Sequence, residues 1–218
     1  MQSGINPLID CCFKKIFGSE SNKNLLSSMV NAVLEESGEP RVVELEILNP
    51  YNPKDFLGDK LSIVDLKAKN EKGEWFLIEV QIQMYSYFPQ RLLYYWAKNY
   101  QLQLREGEKY HLLRKVNLIS VCQESLPIGT KRYFNLFRVQ DVNRHVPLSD
   151  HLSIYTLELP KFTSEKETIM KQLERWMYFL KYGESLDEDA LPGPLDTPEI
   201  RQAVGELKKF TQIGRAHV

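Results

Sequence analysis

A chain of 218 residues with 43% hydrophobic and 26% charged content has the make-up of an ordinary globular protein with a buried core, not of a disordered or fibrous one. A formal net charge of −1 excludes a globally basic nucleic-acid binder, so any grip on phosphates must come from a local patch. Three cysteines without a CxxC, and four histidines at no matching spacing, exclude a structural zinc site. No apolar run approaches the roughly 18 residues of a membrane span, and no leader signal opens the chain, which points to a soluble, reduced, cytoplasmic protein.

In chain order, Ile9–Phe17 reads as a short helix closed by Gly18. Residues 21–36 follow as a second helix, with Leu25, Leu26, Met29, Val33 and Leu34 on one stripe. Val42–Leu48 alternates as a strand, and the proline-rich stretch 49–53 breaks the chain. Two alternating runs then flank Asn70-Glu71-Lys72-Gly73, a hairpin signal. Residues 86–105 have the length of a long helix, with Pro89 in its first turn and Leu92, Leu93, Trp96, Tyr100 and Leu104 as its spine. Val116–Cys122 is a buried-strand run, and 134–139 and 153–159 are further strands. Residues 164–182 read as a helix opening on a Ser164-x-x-Glu167 capping box. An acidic, proline-rich linker at 187–198 precedes a last helix from Pro198. The order of elements argues an α/β fold around a mixed sheet.

The hairpin register can be derived on paper. A three-residue loop, Glu71-Lys72-Gly73, puts glycine at the left-handed position, pairs Asn70 with Glu74, and sets Asp65 opposite Glu79. One face then carries Val64, Leu66 and Ala68 with Phe76, Ile78, Val80 and Ile82. The other carries Asp65, Lys67 and Lys69 with Glu79, Gln81 and Gln83. Carboxylates opposed across a strand pair repel, so they call for a cation or a proton between them. Oxygen ligands suit a hard divalent ion: Asp65 and Glu79 as its ligands, the Val80 carbonyl as a third, and Gln81 beside a water. Lys67 is placed to add positive charge. The plainer alternative is a solvated hairpin face whose acids Lys67 and Lys69 neutralise.

Asp-x13-Glu-x-Gln on a hairpin, after Phe13-Lys-Lys-Ile-Phe-Gly18 and Asn31-Ala-Val-Leu34, resembles the PD-(D/E)XK nucleases associated with transposases. These are the recombination-promoting nuclease and putative transposase group. The likeness continues through Arg91-Leu-Leu-Tyr-Tyr-Trp-Ala97, Gly107-Glu-Lys-Tyr110 and the strand from Lys115, and covers roughly residues 5–160. It implies a restriction-endonuclease-like fold and magnesium-dependent cleavage of DNA, with manganese as the alternative ion. Asp65 and Glu79 would bind the metal, and Gln81 would stand where the wider superfamily has its lysine. Asp10 and Lys14 fall in a first-helix motif beside the cleft. Lys14, Lys67 and Arg91 are the candidate DNA contacts, and Arg91 has a surface ion pair as its equal alternative. DNA is the implied partner, a homodimer is a second association to test, and a membrane is not expected. From a different functional class comes the alternative of a catalytically inactive module that binds DNA or assembles.

The expected organisation is a nuclease-like domain over 1–160 and a helical extension over 161–211. The segment 212–218, ending Ile213-Gly-Arg-Ala-His-Val218, matches the translation of a common sequencing adapter and is read as foreign to the protein.

Overall fold

The computed structural model describes residues 4–50 and 64–216, with side chains through Phe210. It divides into two compact units, 1–42 with 159–218, and 43–158. The N-terminal helices group with the C-terminal ones, so the units do not follow a division into 1–160 and 161–211.

The first unit contains α1 (Asp10–Gly18), α2 (Lys23–Glu36), α4 (Gln172–Tyr182) and α5 (Pro198–Ala216). The expected stripe of α2 is buried from Leu25 to Leu34, and Phe13, Ile16 and Phe17 of α1 are buried as well. The rings of Phe17 and Trp176 meet edge-on, with centroids 5.4 Å apart, and Trp176 Nε1 donates to Ser28 Oγ at 3.2 Å. The capping box read at Ser164 does not open α4. Residues 166–168 form only one 3₁₀ turn, and Ile169 is extended (ψ 122°) with its side chain buried, which interrupts the helix. The helix starts at Gln172, where Glu174 accepts from the N–H groups of Met170 (3.0 Å) and Lys171 (3.1 Å). A first-turn carboxylate thus covers orphan donors, seven residues further on than the sequence signal.

The second unit is a mixed sheet of β1 (Leu45–Leu48), β2 (Leu66–Asn70), β3 (Trp75–Gln81), β4 (Val116–Cys122), β5 (Phe134–Phe137) and β6 (Leu152–Glu158), with α3 (Phe88–Gln101) between β3 and β4. The strand order is β1-β2-β3-β4-β6-β5. β3, β4 and β6 run parallel, and the outer pairings are antiparallel.

The hairpin forms in the derived register, with Leu66 opposite Ile78 and Lys69 opposite Trp75. Asn70 closes it: its N–H donates to the Glu74 carbonyl, and its side-chain oxygen accepts from the N–H groups of Lys72 (3.0 Å) and Glu74 (2.9 Å). Gly73 takes φ +81°, the conformation for which a residue without Cβ is suited. The apolar face is buried at Leu66, Ala68, Phe76 and Ile78, whereas Val64, ahead of the strand, packs with Leu77 and Phe88 on the other face, and Ile82 lies beyond the strand and is exposed.

Of the expected spine of α3, Leu92 is buried and Trp96 and Tyr100 pack partly buried against the same cluster, while Leu104 lies beyond the helix. Phe88, Leu92, Tyr95 and Asn99 point inward, a spacing of 4, 3 and 4, and Leu93 is exposed. No helix among the described residues is long and apolar enough to cross a membrane.

Candidate active site

The register of the three parallel strands sorts one sheet face into rows. Trp75, Val116 and Leu152 form the first row, and Leu77, Leu118 and Ile154 the second. Glu79, Ser120 and Thr156 form the third, and Gln81, Cys122 and Glu158 the fourth. The face is therefore apolar where the strands begin and polar where they end. Helix α3 covers the apolar half: Phe88, Leu92 and Tyr95 pack with Leu77, Val116, Leu118 and Ile154, and Trp96 Nε1 donates to the Val116 carbonyl at 3.1 Å. The polar half lies at the carboxyl ends of the parallel strands, where open α/β sheets bind ligands, and its side chains are buried.

Asp65 precedes β2, one step beyond the Leu66–Ile78 pair, so the ladder extended by one row sets it across from Glu79. Its Oδ2 accepts from the Val80 N–H at 2.6 Å. The Gln81 carbonyl accepts from the Gln123 N–H at 2.9 Å on the β4 side. Successive carbonyls of a strand face opposite edges, so the Val80 carbonyl faces the edge from which Asp65 approaches. Asp65 and the Val80 carbonyl thus lie on the same edge of β3, next to Glu79.

Glu79 is buried, and its carboxylate pairs with a residue from another element. Arg91, one turn into α3, donates through Nη2 to Glu79 Oε1 and through Nη1 to Gln81 Oε1 at 3.1 Å. The guanidinium also lies 5.1 Å from the ring centre of Tyr95 and 5.6 Å from that of Phe88. Burial works against its charge, but Glu79, then Tyr95 and Asp65, raise its pKa on balance. The same environment raises Tyr95, by burial first and by Glu79 next. Gln81 uses its Nε2 to donate to the Gln83 carbonyl.

The other candidates are placed differently. Lys67 is buried one row from Glu79, but its Nζ sits 4.1 Å over the Trp75 ring, away from the polar end, and burial lowers its pKa to about 8. Lys14 lies on α1 in the first unit, where it pairs with Asp10 at 2.6 Å. Sequence reasoning left open whether Arg91 meets phosphate or an ion partner on the surface. Its partner is instead the buried Glu79. Tyr95 was missed as a site residue. Its signal was the i, i+4 spacing from Arg91 on the helix that follows the Glu79 strand.

Two carboxylates and a carbonyl are hard oxygen donors. Magnesium is commonly bound through one or two carboxylates, its shell completed by water and substrate phosphate. The donor set fits such an ion. Among the described residues no group of three or more His, Cys, Asp or Glu side chains is placed to hold a metal, so a fully protein-made cage is not offered there.

The model of the PD-(D/E)XK nuclease family transposases matches residues 7–215, nearly the whole chain. No curated protein and no solved structure gives a match.

Proposed function

The chain belongs to the PD-(D/E)XK nuclease family transposases, and on that premise we propose that it is a divalent-metal-dependent endodeoxyribonuclease acting in transposition or recombination of mobile elements. Its six-stranded mixed sheet is that of a restriction-endonuclease-like α/β fold. The observation that supports the proposal is the bond from the Val80 N–H to Asp65, beside Glu79, at the polar carboxyl end of the parallel strands.

Asp65, Glu79 and the Val80 carbonyl would hold magnesium, or manganese in its place. Such an ion, when bound, polarises a phosphate and lowers the pKa of an attacking water. The protein's own groups do the positioning. The Val80 N–H fixes the Asp65 carboxylate in one orientation. Gln81 is neutral and cannot withdraw a proton, but its amide oxygen accepts from Arg91 and has a second lone pair with which to orient water. Hydrolysis then breaks the P–O bond to the leaving oxygen of the DNA strand as water oxygen bonds to phosphorus.

The test is cleavage of plasmid DNA by the purified chain with magnesium, set against Asp65→Ala and Glu79→Ala. Loss of nicking in both is the expected result, and cutting that survives both substitutions removes the mechanism. One observation favours the second reading, a nuclease-fold module that binds DNA or assembles without cutting: Glu79 is already neutralised by Arg91. That reading predicts retention of DNA with no cleavage at any magnesium or manganese concentration.

A further inference from the structure

Arg91 reaches the site from α3 and spans two residues of one strand, Glu79 and Gln81, with the two arms of its guanidinium. It meets the buried carboxylate that the proposed function assigns to the metal. A guanidinium in contact with a carboxylate repels a divalent ion seeking the same group, so the two cations compete. Sequence places a neutral amide, Gln81, where the wider superfamily has a lysine, and here a positive charge arrives on that amide from the neighbouring helix.

We propose that Arg91 is an exchangeable cation. Without metal it holds Glu79 and Gln81 in place. When a divalent ion occupies the site, it leaves Glu79 and turns to an oxygen of the DNA phosphate being cut. Three observations support the exchange. Arg91 is about one-third exposed as a side chain while Glu79 is almost fully buried, so the arginine is the partner with room to leave. Its Nε is buried and has no hydrogen-bond partner among the described residues, so the resting pose leaves a donor unsatisfied. Phe88 and Tyr95 flank the guanidinium and offer it aromatic faces across which it can swing without losing all contact. The guanidinium stays charged at all working pH values, so its role on the phosphate is to stabilise negative charge and not to carry a proton.

The inference rests on the metal reading of Asp65 and Glu79, and its test separates the two. Manganese is titrated calorimetrically into the DNA-free wild type, Arg91→Gln and Asp65→Asn, and plasmid cleavage is measured in parallel. The expected result is opposite signs for Arg91→Gln: metal bound about tenfold more tightly, yet cleavage at saturating metal slowed by about a hundredfold. A residue that only supports the fold would weaken both when removed, so weaker or unchanged metal affinity in Arg91→Gln overturns the exchange. If Arg91→Gln does not fold, Arg91→Lys keeps the charge, loses the two-armed grip, and must show the same two signs. Unchanged manganese binding in Asp65→Asn overturns the metal reading itself, and the exchange with it.

Discussion

Asp65 and Val80 are tied side chain to backbone: the Val80 N–H donates to Asp65 Oδ2 at 2.6 Å. The bond takes over where the β2–β3 ladder stops, because the last ladder pair is Leu66 with Ile78. The same carboxylate that would hold the metal therefore also ends the hairpin. Asparagine retains an acceptor for the Val80 N–H, whereas alanine leaves that donor without one. Asp65→Asn should cost less than about 1 kcal/mol in stability, and Asp65→Ala about 1–3 kcal/mol. Both should abolish cleavage. Urea denaturation alongside plasmid nicking checks this, and equal destabilisation by the two would remove the structural half of the role.

The hairpin was legible because each of its cues is local. Alternation fixes the two faces, Asn70 and Gly73 fix the loop, and together they set the register that puts Asp65 across from Glu79. What sequence could not show depends on how α3 lies over the sheet. Its inward stripe starts at Phe88 and runs through Leu92 and Tyr95, rotated so that Trp96 and Tyr100 pack at its partly buried edge and Leu93 is exposed. That rotation turns Arg91 onto Glu79 and keeps Tyr94 outside. The row order Glu79–Ser120–Thr156 was equally hidden, since it follows from the parallel pairing of three strands far apart in sequence.

Lys67 gives a pH signature. Burial lowers its pKa from 10.5 to about 8, so between those values the unfolded chain binds more protons than the folded one. Stability should therefore rise as pH increases from about 8 to 10.5, and the penalty for burying the charge is fully present below pH 8. Lys67→Met removes that rise and should increase the urea midpoint at pH 7. Denaturation curves at pH 7, 8, 9 and 10 for the two proteins decide it, and parallel pH profiles would contradict the assignment.

Gly73 is demanded by backbone and not by space. A Cβ there would meet Arg114 Cγ at 3.5 Å and Lys69 Cε at 3.6 Å, ordinary contacts with flexible side chains, but φ is +81°. Gly73→Ala should cost about 1 kcal/mol through strain alone, and Gly73→Asn less, because asparagine tolerates the left-handed region. Thermal melts of the two variants give the order. A larger loss for asparagine would show that crowding, not φ, decides.

Glu158 tests whether the polar end of the sheet is built as a unit. It ends β6 in the same row as Gln81 and Cys122, and it is fully buried. Its Oε2 accepts from the Leu126 N–H at 2.8 Å, and its Oε1 accepts from Thr130 Oγ1 and Asn135 Nδ2, each at 3.1 Å. One acid thus pins the loop after β4 and the start of β5 to the strand between them. Glu158→Ala leaves these donors without their acceptor inside a buried site, at a cost of about 3 kcal/mol or more. Glu158→Gln keeps one carbonyl oxygen but brings an amide group that faces donors on its other side, so it should recover only part of that loss. Hydrogen exchange at the Leu126 amide reads the pin directly. It should speed up strongly in Glu158→Ala and moderately in Glu158→Gln, while the Asn70 amide of the distant hairpin loop keeps its wild-type rate under conditions where exchange proceeds by local opening.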